Sequence, residues 1–192
     1  MKKRLFALCL ILNLIALNLM FTRQVFAFNG AASFSAPGGT LDQEAEFTAV
    51  DIPALFESAE AVLLPVCTKR GNTLAFSSTS RCRIHGNPEL LLQVLINLVV
   101  NANRHTEKGM ISVEAEDDGP AVALRVRDNG KGIAPEVLPH IFEKGFTTTE
   151  GRGLGLSICS ETVALHGGTL EVESTGPEGS CFRFTIPKED ET

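Results

Sequence analysis

The feature that most constrains the fold is a predicted β-strand that ends on a carboxylate. Residues 121–128 alternate with period two, which places Val122, Leu124 and Val126 on one strand face. Asp128 falls on the same face, so the pattern carries a carboxylate into an apolar interior, where an unpaired charge is costly. The sequence that follows, DNGKGI, has two glycines that permit a sharp turn and a close approach of the backbone to a ligand. Taken alone, DNGKG is more typical of a capped turn.

A second informative stretch is a predicted helix over residues 88–104, opened by Asn87 as N-cap and by a first-turn proline. The run LLLQVLINLVVNA is apolar nearly all round, which indicates a buried helix. Gln93, Asn97 and Asn101 nevertheless recur every four residues and form a polar line along one side. Amide oxygens suit a hard cation such as Mg²⁺, and an amide ladder within the core explains the pattern equally well.

Two further segments indicate a binding loop and an anion site. Residues 133–150 lack a continuous apolar period, which is typical of a lid or a binding segment. Phe142 and Phe146 are either anchors of this loop or one turn of a packed helix. The glycine cluster at 151–156 opens an apolar helix, and glycines at that place expose N–H groups toward an anion. The spacing GxGxG does not match the dinucleotide fingerprint, and no GxxxxGK[ST] occurs.

The sequence also predicts two further helices, three short strands and two hairpins. Pro53 suits the first position of a helix, and His166 closes the last helix, where a positive charge is favourable. Strands are predicted at EFTAVDI, TLAFS and CRIH, and hairpins at MISVEAE with AVALRVRD and at TLEVEST with SCFRFTIP; a polar tail occupies 188–192.

Composition excludes several classes of protein. The net charge is −6 and no basic stripe is present, which argues against a nucleic-acid partner. The five cysteines are an odd number without a CxxC pair, so we interpret them as reduced core thiols and not as a disulfide framework or a zinc site.

The order of the motifs is more specific than any one of them. NLVVNANRHT, DNGKGI, IFEKGFTTT and EGRGLGLSI follow one another, and a GG pair comes next. This arrangement resembles the ATP-binding catalytic domain of bacterial sensor histidine kinases, within the superfamily shared with gyrase and the heat-shock chaperone ATPases. The resemblance covers residues 46–187. It implies the Bergerat fold: a two-layer α/β (α+β) sandwich whose mixed, mostly antiparallel sheet carries three helices on one face, with ATP between the helix layer and the lid.

The resemblance also implies roles for individual residues. Asp128 would accept a hydrogen bond from the adenine amino group, with His105 beside the nucleoside. Asn101, with Asn97 nearby, would hold Mg²⁺, and Arg104 would neutralise phosphate charge. The other expected nucleotide contacts are Gly130, Lys131, Gly132, Ile133, Phe142, Gly151, Arg152, Gly153, Leu154, Gly155 and Leu156.

One position separates kinases from hydrolytic members of the superfamily. The hydrolytic members carry a glutamate four residues before the metal-binding asparagine, where it activates water. Here that position holds Asn97, and an amide cannot act as a general base. The site is therefore expected to hold ATP for phosphoryl transfer.

A histidine acceptor is expected on another chain. None of the four histidines of this sequence precedes the domain in a helical hairpin, as the family pattern requires. The expected partners are therefore a phosphoacceptor hairpin or dimer partner in another chain and, indirectly, a response regulator. An anti-sigma-type serine kinase and a non-catalytic ATP-binding regulator are the alternatives.

The N-terminal 27 residues are of a different kind. A basic start is followed by an apolar run over residues 5–21, which is typical of a signal peptide or a membrane anchor. Residues 28–45 are small and aperiodic, so they are predicted to be a linker. We expect membrane attachment with the ATP domain in the cytoplasm, although the basic residues before the run place the N-terminus inside and would send the remainder outward.

Overall fold

The structure is a computed structural model, and it describes residues 46–80, 83–146 and 153–189. The predicted N-terminal segment 1–27, the linker 28–45, Gly151 and Arg152 lie outside the described residues. Over the ranges given above, no helix has the length and apolar character needed to cross a membrane.

The described chain has seven strands and three α-helices, and each α-helix is followed by two strands. Each helix begins where the sequence supplies a cap or a glycine, and the strands follow the period-two stretches. The elements are β1 (Thr48–Asp51), α1 (Ile52–Lys69), β2 (Thr73–Ser78), β3 (Arg83–Gly86), α2 (Pro88–His105), β4 (Met110–Asp118), β5 (Ala121–Asp128), a short 3₁₀ helix (Leu138–His140), α3 (Gly155–Leu165), β6 (Leu170–Gly176) and β7 (Gly179–Pro187).

The main sheet has five strands in the order β2-β4-β5-β7-β6. β2 runs parallel to β4, and the other three pairings are antiparallel. With the three helices, this is the predicted two-layer sandwich with a mixed, mostly antiparallel sheet. One feature was not predicted: β1 and β3 pair with each other in a separate two-stranded antiparallel sheet.

The core lies between the main sheet and the helices. Leu124 of β5 and Phe184 of β7 are opposite one another in the ladder, and both side chains are fully buried. They belong to one apolar cluster with Leu95 and Leu98 of α2. Since side chains alternate between the two faces of a strand, this register also turns Asp128 toward the helix layer.

The other face of the sheet carries cross-strand ion pairs. Arg125 of β5 pairs with Glu116 and with Glu173, and the Arg125 Nε to Glu173 Oε1 distance is 2.8 Å. Arg183 of β7 pairs with Asp118 and with Glu171. Because most of the acidic partners are half exposed, these pairs add little stability individually, but they keep this face polar.

Among the helices, the start of α1 and the end of α2 differ from the sequence predictions. Helix α1 begins at Ile52, so Pro53 is its second residue, and the carboxylate of Asp51 caps it by accepting from the N–H of Ala54 at 3.0 Å. Helix α2 extends through His105, one residue beyond the predicted end. Asn87 caps α2 as predicted, since its side chain accepts from the N–H of Leu90 at 2.9 Å.

Candidate functional site

Asp128 forms the floor of the site at the end of β5. Its side chain is only 6% exposed, and one carboxylate oxygen accepts a hydrogen bond from the N–H of Gly130 at 2.8 Å. Burial raises the pKa of this carboxyl, while the backbone N–H groups of Gly130 and Ser180 and the nearby His105 ring favour the ionised form. Among the described residues, no basic side chain forms an ion pair with Asp128.

Thr106 stands beside this carboxylate. Its residue is 1% exposed, and its hydroxyl oxygen is buried without a hydrogen-bond partner among the residues that the structure describes. The hydroxyl faces Asp128 and favours the ionised carboxylate, but it makes no hydrogen bond of regular geometry to it. A buried carboxylate next to an unpartnered hydroxyl leaves hydrogen-bonding groups available to a bound molecule.

The loop after Asp128 is held from both sides. On one side, a Cβ at Gly130 would collide with the carbonyl oxygen of His105 at the end of α2. On the other, Gly132 has φ +72° and lies against the carbonyl of Gly176, where no side chain fits. The N–H of Ile133 donates to Thr175 Oγ1 at 2.8 Å. Packing against neighbouring carbonyl groups therefore requires glycine at both positions, whether or not the two residues also contact a ligand.

The polar line on α2 is partly paired with itself. Gln93 Nε2 donates to Asn97 Oδ1 at 3.1 Å, so the carbonyl oxygen that a metal would need is already engaged. The amide nitrogen of Asn97 is buried without a partner among the described residues. It lies toward the Cys159 thiol of α3, whose pKa is raised to about 12 by burial and only partly lowered again by Asn97. The side chain of Asn101 is half-buried.

The last turn of α2 brings two predicted residues near the floor. Arg104 is exposed, and its carbonyl oxygen accepts from Arg70 Nη2 at 3.4 Å. His105 is half-buried, and desolvation lowers its pKa, with Lys131 and Arg104 acting in the same direction and Asp128 against it. The imidazole is therefore predominantly neutral at pH 7.

The lid is fixed by aromatic anchors. Phe142 meets Phe182 of β7 edge to face, with 6.5 Å between the ring centroids, and Phe146 also packs against the core. Neither phenylalanine lies in a regular helix, so the anchor interpretation is the right one. The N–H of Gly145 donates to the carbonyl of Gly153 at 3.1 Å, and Gly153 has φ +65° and lies against Phe146.

Helix α3 presents its N-terminus beside the lid. Leu154 precedes its first residue, and no side chain of the described residues caps that turn. Gly155 is exposed, and a Cβ added there would meet no atom within 4 Å. Uncapped N–H groups at an open helix start favour an anion. Leu156 turns the other way and packs against the core.

His166 does not carry the charge that its position at the end of α3 suggested. Its Nε2 accepts from the N–H of Asn87 at 3.0 Å, so the proton must be on Nδ1, which lies 2.7 Å from the carbonyl oxygen of Thr162. Burial also lowers the pKa of this histidine. His166 is thus a neutral, buried link between the start of α2 and the end of α3.

Sequence reasoning missed three residues near the site. Asn72, Asn103 and Thr106 are all buried, and the Asn72 side chain joins the other two. Their only sequence signal was a polar residue type at each position, without a period. The described cysteines, Cys67, Cys159 and Cys181, are free and buried as predicted; Cys9 and Cys82 lie outside the described residues.

Metal-binding capacity in the described residues is limited to amide oxygens and single carboxylates. No cluster of three or more histidine, cysteine, aspartate or glutamate side chains occurs in these parts of the chain. The side chain of Asn101 is half-buried and makes no hydrogen bond to a described residue, whereas the amide oxygen of Asn97 already accepts one from Gln93.

The comparisons with known proteins agree with this architecture. The family model described as Histidine kinase-, DNA gyrase B-, and HSP90-like ATPase matches residues 86–190. Sensor histidine kinase ZraS of Escherichia coli (strain K12) is 38% identical over 142 residues, which are 72% of this chain and 30% of the relative. The chain thus spans about a third of the length of this curated relative.

Solved structures match over the whole domain. The catalytic domain of histidine kinase ThkA has a TM-score of 0.69 and 34% identity, over 74% of this chain and 96% of that one. ThkA in complex with response regulator protein TrrA has a TM-score of 0.68 and 27% identity, over 93% of this chain and 49% of that one. Full-length ShkA in complex with AMPPNP has a TM-score of 0.74 and 30% identity, over 92% of this chain and 36% of that one.

Proposed function

Because the chain belongs to the histidine kinase-, DNA gyrase B- and HSP90-like ATPase family, we propose that it binds Mg-ATP and donates the γ-phosphoryl group to a histidine of another chain. It would serve as the catalytic domain of a two-component sensor kinase. The sensor histidine kinase ZraS and the AMPPNP complex of ShkA support this proposal.

The buried Asp128 carboxylate is the single observation that carries the proposal. It is placed at a strand end, without a basic partner among the described residues and next to the unpartnered Thr106 hydroxyl. An ionised carboxylate only accepts hydrogen bonds, so it would bind the exocyclic amine of adenine and disfavour the carbonyl of guanine. The half-buried Ile133 and Phe142 and the neutral His105 would supply the apolar surroundings of the nucleoside.

The phosphates would lie between the start of α3 and the end of α2. The uncapped first turn at Leu154 and Gly155 offers N–H groups, and Arg104 offers a positive charge. Asn101 would contribute an oxygen ligand to Mg²⁺, which would supply positive charge to neutralise the phosphates. Asn97 would take part only by exchanging its bond to Gln93, so we assign it a supporting role. Gly151, Arg152 and Lys131 remain proposed phosphate contacts.

The residues of this site favour transfer over hydrolysis. Asn97 stands where a water-activating base would be needed, and an amide cannot take the proton. In the transfer, the bond between the γ-phosphorus and the β–γ bridging oxygen breaks, and a bond to an imidazole nitrogen of the acceptor forms. ADP leaves, and the imidazole N–H proton passes to solvent. The chain itself contributes position and charge neutralisation.

The acceptor and the downstream partner are part of this proposal. Among the described histidines, His166 is buried and neutral, and none lies within an exposed stretch of a helical hairpin. We therefore assign the acceptor to a histidine hairpin or dimer partner in another chain. A response regulator would receive the phosphoryl group from that histidine, as the ThkA complex with TrrA suggests by analogy.

The test is incubation of the chain with γ-labelled ATP, Mg²⁺ and a histidine hairpin from a sensor kinase. We expect an acid-labile label on the hairpin, because phosphohistidine is hydrolysed in acid. An acid-stable label would indicate a serine kinase instead. Nucleotide binding without any transfer would leave a regulatory ATP-binding module and overturn the kinase assignment.

We further propose attachment to a membrane through residues 5–21. The ATP site would lie in the cytoplasm, where ATP is available, although the basic residues before the run favour the opposite orientation. Expression with and without residues 1–27, followed by separation of membrane and soluble fractions, tests this. Recovery of the full chain and the shortened chain in the same soluble fraction would contradict it.

A further inference from the structure

Asn72 lies at a junction of four secondary-structure elements. Its backbone N–H donates to the carbonyl of Cys67 in the last turn of α1 at 3.1 Å. The next residue, Thr73, opens β2 and donates to the carbonyl of Gly109 at 2.8 Å, immediately before β4. The backbone therefore ties the end of α1 and the start of β2 to the start of β4.

The Asn72 side chain adds the end of α2 to this junction. Its Nδ2 donates to Asn103 Oδ1 at 2.7 Å and to the carbonyl of Thr106 at 2.9 Å. Its Oδ1 accepts from the N–H of Gly109 at 2.9 Å. The residue is 4% exposed, and both N–H hydrogens and the oxygen are used. Such a buried and satisfied amide fixes the geometry of every group it joins.

The segment that Asn72 holds contains two residues of the nucleotide site. Arg104 and His105 lie between Asn103 and Thr106, so the two contacts made by the Asn72 amide bracket them. The carbonyl of His105 in turn accepts from the N–H of Lys131 at 3.4 Å and lies against Gly130. A displacement at the end of α2 would thus move both Arg104, the proposed phosphate contact, and the Gly130 loop, which follows Asp128, the proposed adenine contact.

We propose that Asn72 is a positioning residue for the nucleotide site, which sets the exit of α2 and with it Arg104, His105 and the Gly130 loop. The predicted effect of Asn72 on nucleotide binding rests on the proposed function. The positioning role also predicts a change in the surroundings of His105 that needs no nucleotide. Asn72 itself touches no reacting group.

The experiment compares Asn72→Ala with Leu63→Ala in the full chain. Leu63 is a buried apolar residue of α1 whose side chain takes no part in the hydrogen bonds of the junction, so its variant provides a loss of stability that leaves those hydrogen bonds in place. AMPPNP with Mg²⁺ is titrated by calorimetry at a temperature where circular dichroism shows both variants folded. We expect Kd to rise about tenfold for Asn72→Ala and to stay within about twofold of the parent for Leu63→Ala.

A second readout is the titration of His105 by NMR in the absence of nucleotide. The pKa of His105 is lowered mainly by desolvation. It should move back toward its ordinary value in Asn72→Ala and stay lowered in Leu63→Ala. If Asn72→Ala keeps the parent Kd and the parent His105 titration, Asn72 is only a stabilising residue and the proposal is wrong.

The experiment also distinguishes two further outcomes, which are failure of the variant to fold and failure of the parent to bind AMPPNP. If Asn72→Ala does not fold, Asn103→Ala removes only the hydrogen bond from Asn72 Nδ2 to Asn103 Oδ1, and a smaller change in the same direction is expected. An unchanged Kd and His105 titration would overturn the proposal. If the parent chain does not bind AMPPNP, the proposed function fails. The His105 titration then still decides whether Asn72 sets the exit of α2.

Discussion

The N–H of Gly130 donates to the carboxylate of Asp128 at 2.8 Å, across the first turn of the loop that follows β5. Together with the backbone N–H of Ser180, this bond fixes the orientation of a buried carboxylate. Asp128 is thereby presented as an acceptor in one direction, and the glycine is required because His105 leaves no room for a Cβ.

Asp128→Asn should abolish nucleotide binding and leave the fold intact. The amide oxygen can still accept from Gly130, but the amide has no charge and presents a donor to the adenine amine. We expect the Kd for ATP to rise at least about a hundredfold, as when a buried polar contact is mismatched. Calorimetric titration measures this, and tight binding by the variant would remove Asp128 from the site.

The same substitution should not reduce the stability of the nucleotide-free protein at pH 7. Burial raises the pKa of Asp128, so its contribution to stability is complete below the ordinary aspartate pKa and is lost as the pH rises through the raised pKa. At pH 7 the ionised carboxylate opposes folding, and the neutral amide does not. A melting temperature equal to or above that of the parent is expected, and a clear decrease would contradict it.

Asn101→Ala should remove most of the effect of Mg²⁺ on nucleotide binding. The side chain is half-buried and has no hydrogen-bond partner in the described chain, so its loss should leave stability nearly unchanged. In EDTA, the variant and the parent should bind ATP alike; with Mg²⁺, the parent should gain about tenfold more than the variant. An equal gain in both proteins would show that Asn101 does not reach the metal.

Gly155→Ala and Gly153→Ala form a matched pair at the start of α3. Gly153 has φ +65° and contacts Phe146, so alanine there should destabilise the fold by about 2 kcal/mol. Gly155 faces open space in the first turn, where alanine should be neutral or stabilise by up to about 1 kcal/mol. If phosphates lie against this turn, Gly155→Ala should nonetheless weaken ATP binding while adenosine binding is unchanged. Equal affinities for ATP would place the phosphates elsewhere.

His166 should make the domain less stable as the pH falls from 7 to 5. Its pKa is lowered, so its contribution is present above the ordinary histidine pKa and is lost as the pH falls toward the lowered value, when Nε2 must release the Asn87 N–H. His166→Gln should cost about 2 kcal/mol at pH 7 and should flatten this slope. Urea unfolding of both proteins at pH 7, 6 and 5 measures it. His105 shifts in the same direction in both proteins and cancels; parallel slopes would contradict the assignment.

The sequence predicted the elements well where a local pattern determines them. The predicted period-two stretches correspond to β4, β5 and β7, and α2 begins at Pro88 with Asn87 as its N-cap, as predicted. The burial of Asp128 also followed from the strand period alone, since residues two apart share a face. The roles assigned to individual site residues remain predictions.

Pairings between distant segments could not be predicted in this way. Asn87 and His166 are 79 positions apart, and Asn72 and Asn103 are 31 apart. No periodicity connects such residues, and a single polar residue in a sequence does not reveal its partner. The charge expected on His166 was wrong for this reason: the helix end favours a cation, but the N–H of Asn87 occupies the nitrogen that would take the proton.

By itself, the sequence determined the order of strands and helices, the buried acid at the end of β5 and the family to which the motifs belong. Only the tertiary structure decided the separate pairing of β1 with β3, the protonation state of His166 and the junction at Asn72. The reason is physical. Helix caps and strand faces depend on neighbours within a few residues, whereas a buried hydrogen bond depends on which distant atoms the packing of the whole domain brings within reach.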